Sequence, residues 1–180
     1  LLDYKSLSSV EDPVYLKYKQ EVADASGLTA VLTETKARST EELRQNIRAI
    51  EQCLSAFQTY TPVCFTDKPE EYSKYWAIRS GIFPSVGGTR KPGTTCLIED
   101  VAFHIEDLPR ATAELQALIA RHGYDACIYG HALEGNYHFI INQSFSTDAE
   151  VKRYEELMND VKTLVIDKYD GSLKAEHGTG

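Results

Sequence analysis

Hydrophobic residues recur at every third or fourth position in four segments of the chain, and this spacing predicts four amphipathic helices. The predicted helices start near residues 40, 69, 108 and 148. Ser39 and Glu42 form a capping box at the first start. Gly123 and Gly171 mark the ends of the last two helices, because glycine favours the backbone conformation that ends a helix.

Shorter segments rich in β-branched and apolar residues predict strands. They cover residues 28–35, 62–65, 95–104, 126–130 and 136–142. A stretch rich in glycine and proline at residues 81–94 predicts a long loop of the functional or mobile kind. The order β-α-β-α, then β-α-β-β-α, predicts an α+β domain. Its helices pack on an antiparallel sheet, as one or two ferredoxin-like units.

The two ends of the chain carry fewer structural signals. Residues 1–27 form a lead-in whose only predicted element is a short helix at residues 14–22. The chain starts without methionine and ends in a glycine-rich stretch with no closing element. We therefore expect residues 1–180 to be one domain excised from a longer protein.

Charge and composition exclude several classes of protein. The net charge of -8 argues against nucleic-acid binding, which needs a basic face. No apolar run approaches the roughly 20 residues that span a bilayer, and the first residues do not form a signal peptide. The four cysteines form no CxxC pair, so we expect buried thiols in a reducing compartment and no iron-sulfur cluster in this segment.

The segment GHALEGNYH at residues 130–138 brings two histidines near one turn. If residues 126–130 and 136–142 pair as a hairpin, His131 and His138 lie on adjacent strands and can point the same way. Two imidazoles in that arrangement suit Zn²⁺ or a similar ion. The alternative is a surface hairpin with two unrelated histidines.

The segment GSLKAEHG at residues 171–178 places Glu176 beside His177. The carboxylate can supply a third metal ligand and the histidine a neighbouring base. Two histidines and one glutamate with open positions are typical of catalytic metal sites. Taken alone, the segment is more typical of an ordinary polar tail.

A basic cluster of Arg79, Arg90 and Lys91 flanks the predicted loop. A guanidinium there can clamp a carboxylate through its two parallel N–H groups. The alternatives are solvated charges and, for Arg79, a structural ion pair. Glu99 and Asp100 are adjacent in a predicted strand, so they face opposite sides and one of them points into polar surroundings.

These motifs, with YWAIRSG at residues 75–81 and EDVAF at residues 99–103, resemble the C-terminal substrate-binding domain of FAD-linked oxidases. That group contains D-lactate dehydrogenases, the glycolate oxidase flavin subunit and D-2-hydroxyglutarate dehydrogenases. The resemblance covers roughly residues 28–180. The stretch at residues 80–103 is most similar to a bacterial branch of very large proteins that also carry a C-terminal iron-sulfur region.

The resemblance implies a role for each motif residue. His131, His138 and Glu176 match the metal ligands of the family, and His177 matches its proposed catalytic base. Asn136 and Arg79 match residues that bind the substrate, the arginine through the substrate carboxylate.

The chain also departs from the family pattern. Leu133 and Glu134 replace the usual Gly-Asp, and Ile140 replaces a substrate-binding asparagine of some members. A lysine that contacts a distal carboxylate in some members has no clear counterpart, and Arg90 or Lys91 is a candidate for that role.

The resemblance implies the cap domain of a dehydrogenase that passes hydride from a D-2-hydroxy acid, of the D-lactate or D-2-hydroxyglutarate type, to FAD. FAD would be bound mainly by a separate domain of the same protein, so we expect the isolated chain to be inactive and nearly free of flavin. We further expect a divalent metal such as zinc and a 4Fe-4S cluster only in other regions. The expected location is the cytoplasm, including the inner face of the membrane, and the electron acceptor is not indicated. Two alternatives stay open: a non-enzymatic ferredoxin-like sensor or dimerisation module, and a self-contained metallohydrolase.

Overall fold

One antiparallel sheet organises the protein. The computed structural model describes residues 2–3, 29–60 and 62–177. Within these ranges the sheet has the strand order β2-β1-β4-β5-β3. The strands are β1 (Leu2–Asp3), β2 (Thr29–Ala30), β3 (Thr95–Ala102), β4 (Cys127–His131) and β5 (Asn136–Gln143).

Among the described residues, four α-helices start where the sequence predicts them. They are α1 (Thr40–Leu54), α2 (Pro69–Gly88), α3 (Leu108–Arg121) and α4 (Asp148–Lys162), which a π-helical turn (Thr163–Lys168) extends. The α+β class is confirmed, with a β-α-β-β-α run from β3 to α4. The N-cap at Ser39 is confirmed too, because its hydroxyl accepts the backbone N–H of Glu42 at 3.2 Å. The other half of the predicted capping box is wrong, since the Glu42 carboxylate accepts the backbone N–H of Arg38 and not that of Ser39.

The main core fills the space between one face of the sheet and helices α3 and α4. Alternate residues of the strands point to this face because side chains alternate along a strand. The sheet contributes buried Val101, Tyr137, Phe139 and Ile141, and the helices contribute buried Leu115, Ile119, Leu157 and Val161. Burying each large apolar side chain contributes about 1.5–3 kcal/mol, so this face holds the domain together.

The opposite face of the sheet is mixed in character. Towards one end it carries a small apolar cluster of Ile82, Cys127, Tyr129 and Ile140, in which Ile82 comes from α2. Towards the other end the same face carries the buried polar residues Asp100, Asn136 and His138. Three buried polar groups on one face need partners, and this requirement marks the face as the place to look for a site.

The predicted loop at residues 81–94 is wrong in its first half. Helix α2 continues to Gly88 with Pro84 inside it. Proline removes one helical hydrogen bond, but Ile82 on the same turn is 1% exposed against the sheet. Burial of apolar side chains along α2 offsets the cost of the lost hydrogen bond. The number of glycines and prolines in the sequence carries no information about this burial.

Two predicted strands are wrong or shortened, because a strand needs a neighbour along its whole length. The strand predicted at residues 28–35 is only Thr29–Ala30, and Val31 beyond it is 62% exposed. Residues 62–65 have no regular structure. The helix predicted at residues 14–22, like most of the lead-in, lies outside the described residues.

The cysteines are less buried than predicted. Cys127 is buried and Cys96 is partly buried, whereas Cys53 and Cys64 are exposed. The prediction of four buried thiols is therefore wrong, because α1 and the segment after it carry no buried residue among the described ones. None of the described helices combines the length and the apolar character that a bilayer-spanning segment needs.

Gly135→Ala is expected to destabilise the fold more than Gly93→Ala. Both glycines have a positive φ, 66° and 82°, which costs alanine about 1–2 kcal/mol. A Cβ at Gly135 would also overlap the carbonyl oxygen of Phe103, whereas a Cβ at Gly93 would meet no other atom of the described residues within 4 Å. The overlap adds about 1–3 kcal/mol at Gly135 alone. Urea unfolding of both variants checks this, and equal destabilisation would contradict it.

Candidate metal centre

The β4–β5 hairpin brings two histidines to the polar face of the sheet. In the antiparallel register, Tyr129 pairs with His138 and His131 pairs with Asn136. A 3₁₀ turn (Ala132–Glu134) and Gly135, whose φ is 66°, close the hairpin. The two imidazole rings are 6.1 Å apart between centroids. The predicted hairpin, with both histidines on one side, is therefore present.

The C-terminal segment brings a carboxylate to the same point. Ser172 forms two backbone hydrogen bonds with Ala102, of 2.8 and 2.9 Å, at the end of β3. Oε2 of Glu176 then lies 3.2 Å from Nε2 of His131 and 3.1 Å from Nε2 of His138.

These three side chains have the geometry of a metal-binding set. One ligand atom from each lies within 4.8 Å of the other two. Zinc bonds of about 2.0–2.2 Å place tetrahedral ligands roughly 3.4 Å apart, close to the two carboxylate-to-nitrogen distances. His131 and Glu176 are partly open to solvent while His138 is buried, so an ion held here would remain accessible from one side.

His138 is the buried member of the cluster, with 1% of its side chain exposed. Burial lowers the pKa of its imidazole, and the nearby Asp100 carboxylate opposes this only in part. The ring is therefore neutral at pH 7, which is the form that binds a metal. Its Nδ1 lies 3.0 Å from Oδ1 of Asp100, within hydrogen-bond distance but without hydrogen-bond alignment.

Asp100 lies at the centre of this arrangement. Its Oδ2 accepts three consecutive backbone N–H groups, from Ala175, Glu176 and His177, at 3.1, 2.5 and 2.7 Å. Its Oδ1 accepts the amide of Asn136 at 2.7 Å. Burial by itself raises the pKa of Asp100, but these four donors outweigh it and hold that pKa below its usual value. Asp100 therefore carries its negative charge at neutral pH.

Two further predicted residues lie at the cluster. His177 has its ring 4.6 Å from the ring of His138 and its Nε2 3.9 Å from Oε2 of Glu176. The amide nitrogen of Asn136 donates to Asp100 and to the carbonyl of Val101, while its buried Oδ1 has no hydrogen-bond donor among the described residues. A buried acceptor without a donor is costly, and it is accounted for if a ligand supplies the donor.

Arg79 reaches the cluster from α2. A guanidinium nitrogen of Arg79 lies 2.7 Å from Nε2 of His131, and Arg79 is half-buried. It thus adds a cation next to the ligand set on an otherwise acidic protein, and a local cation of this kind attracts anions.

The whole chain, residues 1–180, matches the family described as FAD linked oxidases, C-terminal domain. The chain belongs to this family. Its similarity to individual proteins points the same way. It is 25% identical over 153 residues to a D-2-hydroxyglutarate dehydrogenase of Xanthomonas citri pv. viticola, covering 83% of this chain and 31% of that protein.

Two other similar proteins carry the same name. A D-2-hydroxyglutarate dehydrogenase of Stutzerimonas stutzeri is 22% identical over 157 residues, covering 83% of this chain and 32% of that protein. One of Haemophilus influenzae is 29% identical over 100 residues, covering 56% of this chain and 9% of that protein. The chain thus spans about a third or less of the length of these relatives.

Within this FAD-oxidase C-terminal domain, two candidate residues lie away from the cluster. The Arg90 guanidinium donates to the carbonyls of Gly87 and Thr94, and Lys91 precedes the same end of β3. Strand β3 begins at Thr95, and Asp100 lies five residues further along it, a distance of about 16 Å at 3.3 Å per residue. The structure does not bring Arg90 or Lys91 to the cluster of His131, His138 and Glu176, and their role in substrate binding stays a prediction.

Asp100 is the buried residue at this cluster whose position the sequence did not reveal. The signal was the pair Glu99–Asp100 in a strand, where one carboxylate had to meet polar groups. Glu99 faces the other side and accepts the hydroxyl of Tyr154 at 2.5 Å. The pattern predicted an unusual carboxylate, but not the segment that it binds.

Proposed function

We propose that this chain is the substrate- and metal-binding part of a flavin-dependent dehydrogenase that oxidises a D-2-hydroxy acid to the 2-oxo acid. The observation that carries the proposal is the convergence of His131, His138 and Glu176 in a member of the FAD linked oxidase family. The names of the similar proteins make D-2-hydroxyglutarate the first substrate to test, with D-lactate as the second.

The three side chains would hold a divalent ion, and zinc suits two imidazoles and one carboxylate. A bound divalent ion would lower the pKa of a hydroxyl group that coordinates it. His131 and Glu176 face solvent, so a hydroxy acid can approach the ligand set from that side.

The neighbouring side chains would orient the substrate and take its proton. Arg79 would bind the carboxylate through its planar pair of N–H groups. Oδ1 of Asn136, which finds no donor in the described part of the chain, would accept a hydrogen bond from a polar group of the ligand. His177, beside the ligands, would accept the proton of the hydroxyl group.

FAD would supply the acceptor for the hydride that leaves Cα. We assign most of its binding to a separate domain of the same protein, since the motifs of this chain include no strand-to-helix glycine fingerprint for a flavin pyrophosphate. Location in the cytoplasm and a 4Fe-4S cluster in other regions belong to the same proposal.

The intact protein that carries this chain, purified with its flavin, is expected to reduce a dye acceptor with D-2-hydroxyglutarate or D-lactate. Removal of metal by a chelator is expected to lower the rate at least about 100-fold, because a metal supplies several kcal/mol of charge stabilisation. Zn²⁺ added back is expected to restore the rate. The L-enantiomers serve as the control substrates.

Two results would count against the proposal. Full activity after exhaustive chelation would remove the metal from the reaction. An intact protein that contains bound metal and hydrolyses esters or amides, but leaves hydroxy acids unchanged, would favour the metallohydrolase alternative.

A further inference from the structure

We propose that Asp100 is a positioning residue that assembles the metal centre from parts of the chain that are distant in sequence. Asp100 is 2% exposed and pairs with His138 across β3 and β5. The inference rests on the proposed function only where it concerns metal binding. The positioning of the C-terminal segment follows from the contacts of Asp100 alone.

One oxygen of Asp100 holds the C-terminal segment. Oδ2 accepts the N–H groups of residues 175–177, which lie 75 to 77 positions further along the chain. Hydrogen bonds to an ionised carboxylate are about twice as strong as neutral ones. The segment carries both Glu176 and His177, so fixing its backbone fixes the direction of the third ligand and of the base.

The other oxygen of Asp100 faces β5. Oδ1 accepts the amide of Asn136 at 2.7 Å and lies 3.0 Å from Nδ1 of His138. A carboxylate on that side favours a proton on Nδ1, which leaves Nε2 as the ligand atom. Asp100 thus connects the buried candidate ligand, His138, to the segment that carries Glu176.

The surroundings of Asp100 require a carboxylate and not merely a polar group. The hydrogen bonds that the two oxygens accept all come from N–H groups, and the amide side chain of asparagine would turn an NH₂ towards one set of them. The variant Asp100→Asn therefore keeps the shape but places donor against donor on one side.

Glu99 provides a matched control in the next position. It is also a partly buried carboxylate of β3, but it faces Tyr154 and the main core. Glu99→Gln removes one charge from the same strand without touching the ligand face.

The experiment compares hydrogen exchange and zinc binding in the intact protein. Asp100→Asn is expected to raise amide exchange at residues 175–177 at least about tenfold, measured by mass spectrometry, and to weaken Zn²⁺ binding about 10–100-fold in competition with a chromophoric chelator. Glu99→Gln is expected to leave both quantities within about twofold of the wild type. If Asp100→Asn does not fold, Asp100→Ser takes its place, because the shorter side chain leaves room for water to accept the freed N–H groups.

Exchange at residues 175–177 decides the inference. Wild-type exchange there in the Asp100 variant overturns it, whatever the zinc affinity, and so does an equal rise in Glu99→Gln. The wild type could also bind no Zn²⁺ while the Asp100 variant shows faster exchange than the wild type. That result supports the positioning role and counts against the metal in the proposed function.

Discussion

Turnover of the intact protein is expected to fall about 10²–10³-fold when Glu176 is replaced by alanine, with the fold unchanged. The magnitude is that of removing one group that stabilises charge in a reaction. The carboxylate of Glu176 is half exposed, and its contacts are the imidazoles of His131, His138 and His177, so no core packing depends on it. Steady-state kinetics with the active hydroxy acid, together with metal analysis of the purified variant, measures both consequences.

Glu155→Ala is the matched control for this variant. Glu155 is an exposed glutamate of α4 on the opposite side of the sheet, and its loss is expected to leave turnover and metal content unchanged. Wild-type kinetics in Glu176→Ala would exclude it as a ligand, whereas lost turnover with full metal content would assign it another role.

Phe139→Ala is expected to lower the free energy of unfolding by about 3–5 kcal/mol, the usual cost of truncating a buried phenylalanine. Phe139 is 0% exposed and lies between His138 and Ile140 on β5, with its ring in the main core. The large cavity left under the sheet cannot be filled by helices that already pack closely. Urea unfolding of the variant and the wild type gives the difference.

Leu133→Ala separates the effect of burial from that of hydrophobicity. Leu133 is 84% exposed in the turn of the same hairpin, so its truncation is expected to change stability by less than about 0.5 kcal/mol. A loss below about 1 kcal/mol for Phe139→Ala would show that the face towards α3 and α4 is not the main core.

Local signals predicted the elements whose stability is local. The N-cap of Ser39 and the start of α3 at Leu108 occur where the sequence placed them. The β4–β5 hairpin is also present, because the turn at Gly135 and the strands on either side lie within a few residues of one another. These features depend on backbone hydrogen bonds and side-chain spacing over short distances.

Features that depend on distant partners were predicted less well. The second half of α2 reads as a loop, yet it is helical because Ile82 packs on the sheet. Residues 62–65 have the composition of a strand, yet they form none. In both cases the outcome depends on whether a segment remote in sequence packs or pairs there, and composition contains no information about that.

For the candidate site, the sequence by itself determined the chemical groups: two histidines about a hairpin, and a glutamate beside a third histidine. Only the tertiary structure decided that these groups meet, because Glu176 is brought to β5 by backbone bonds to a carboxylate 76 residues earlier in the chain. Residue types set which ligands are available, whereas the pairing of β3 with β5 and with the C-terminal segment sets the distances between them. That pairing is a long-range contact whose energy comes from the whole packed sheet, so no local motif encodes it.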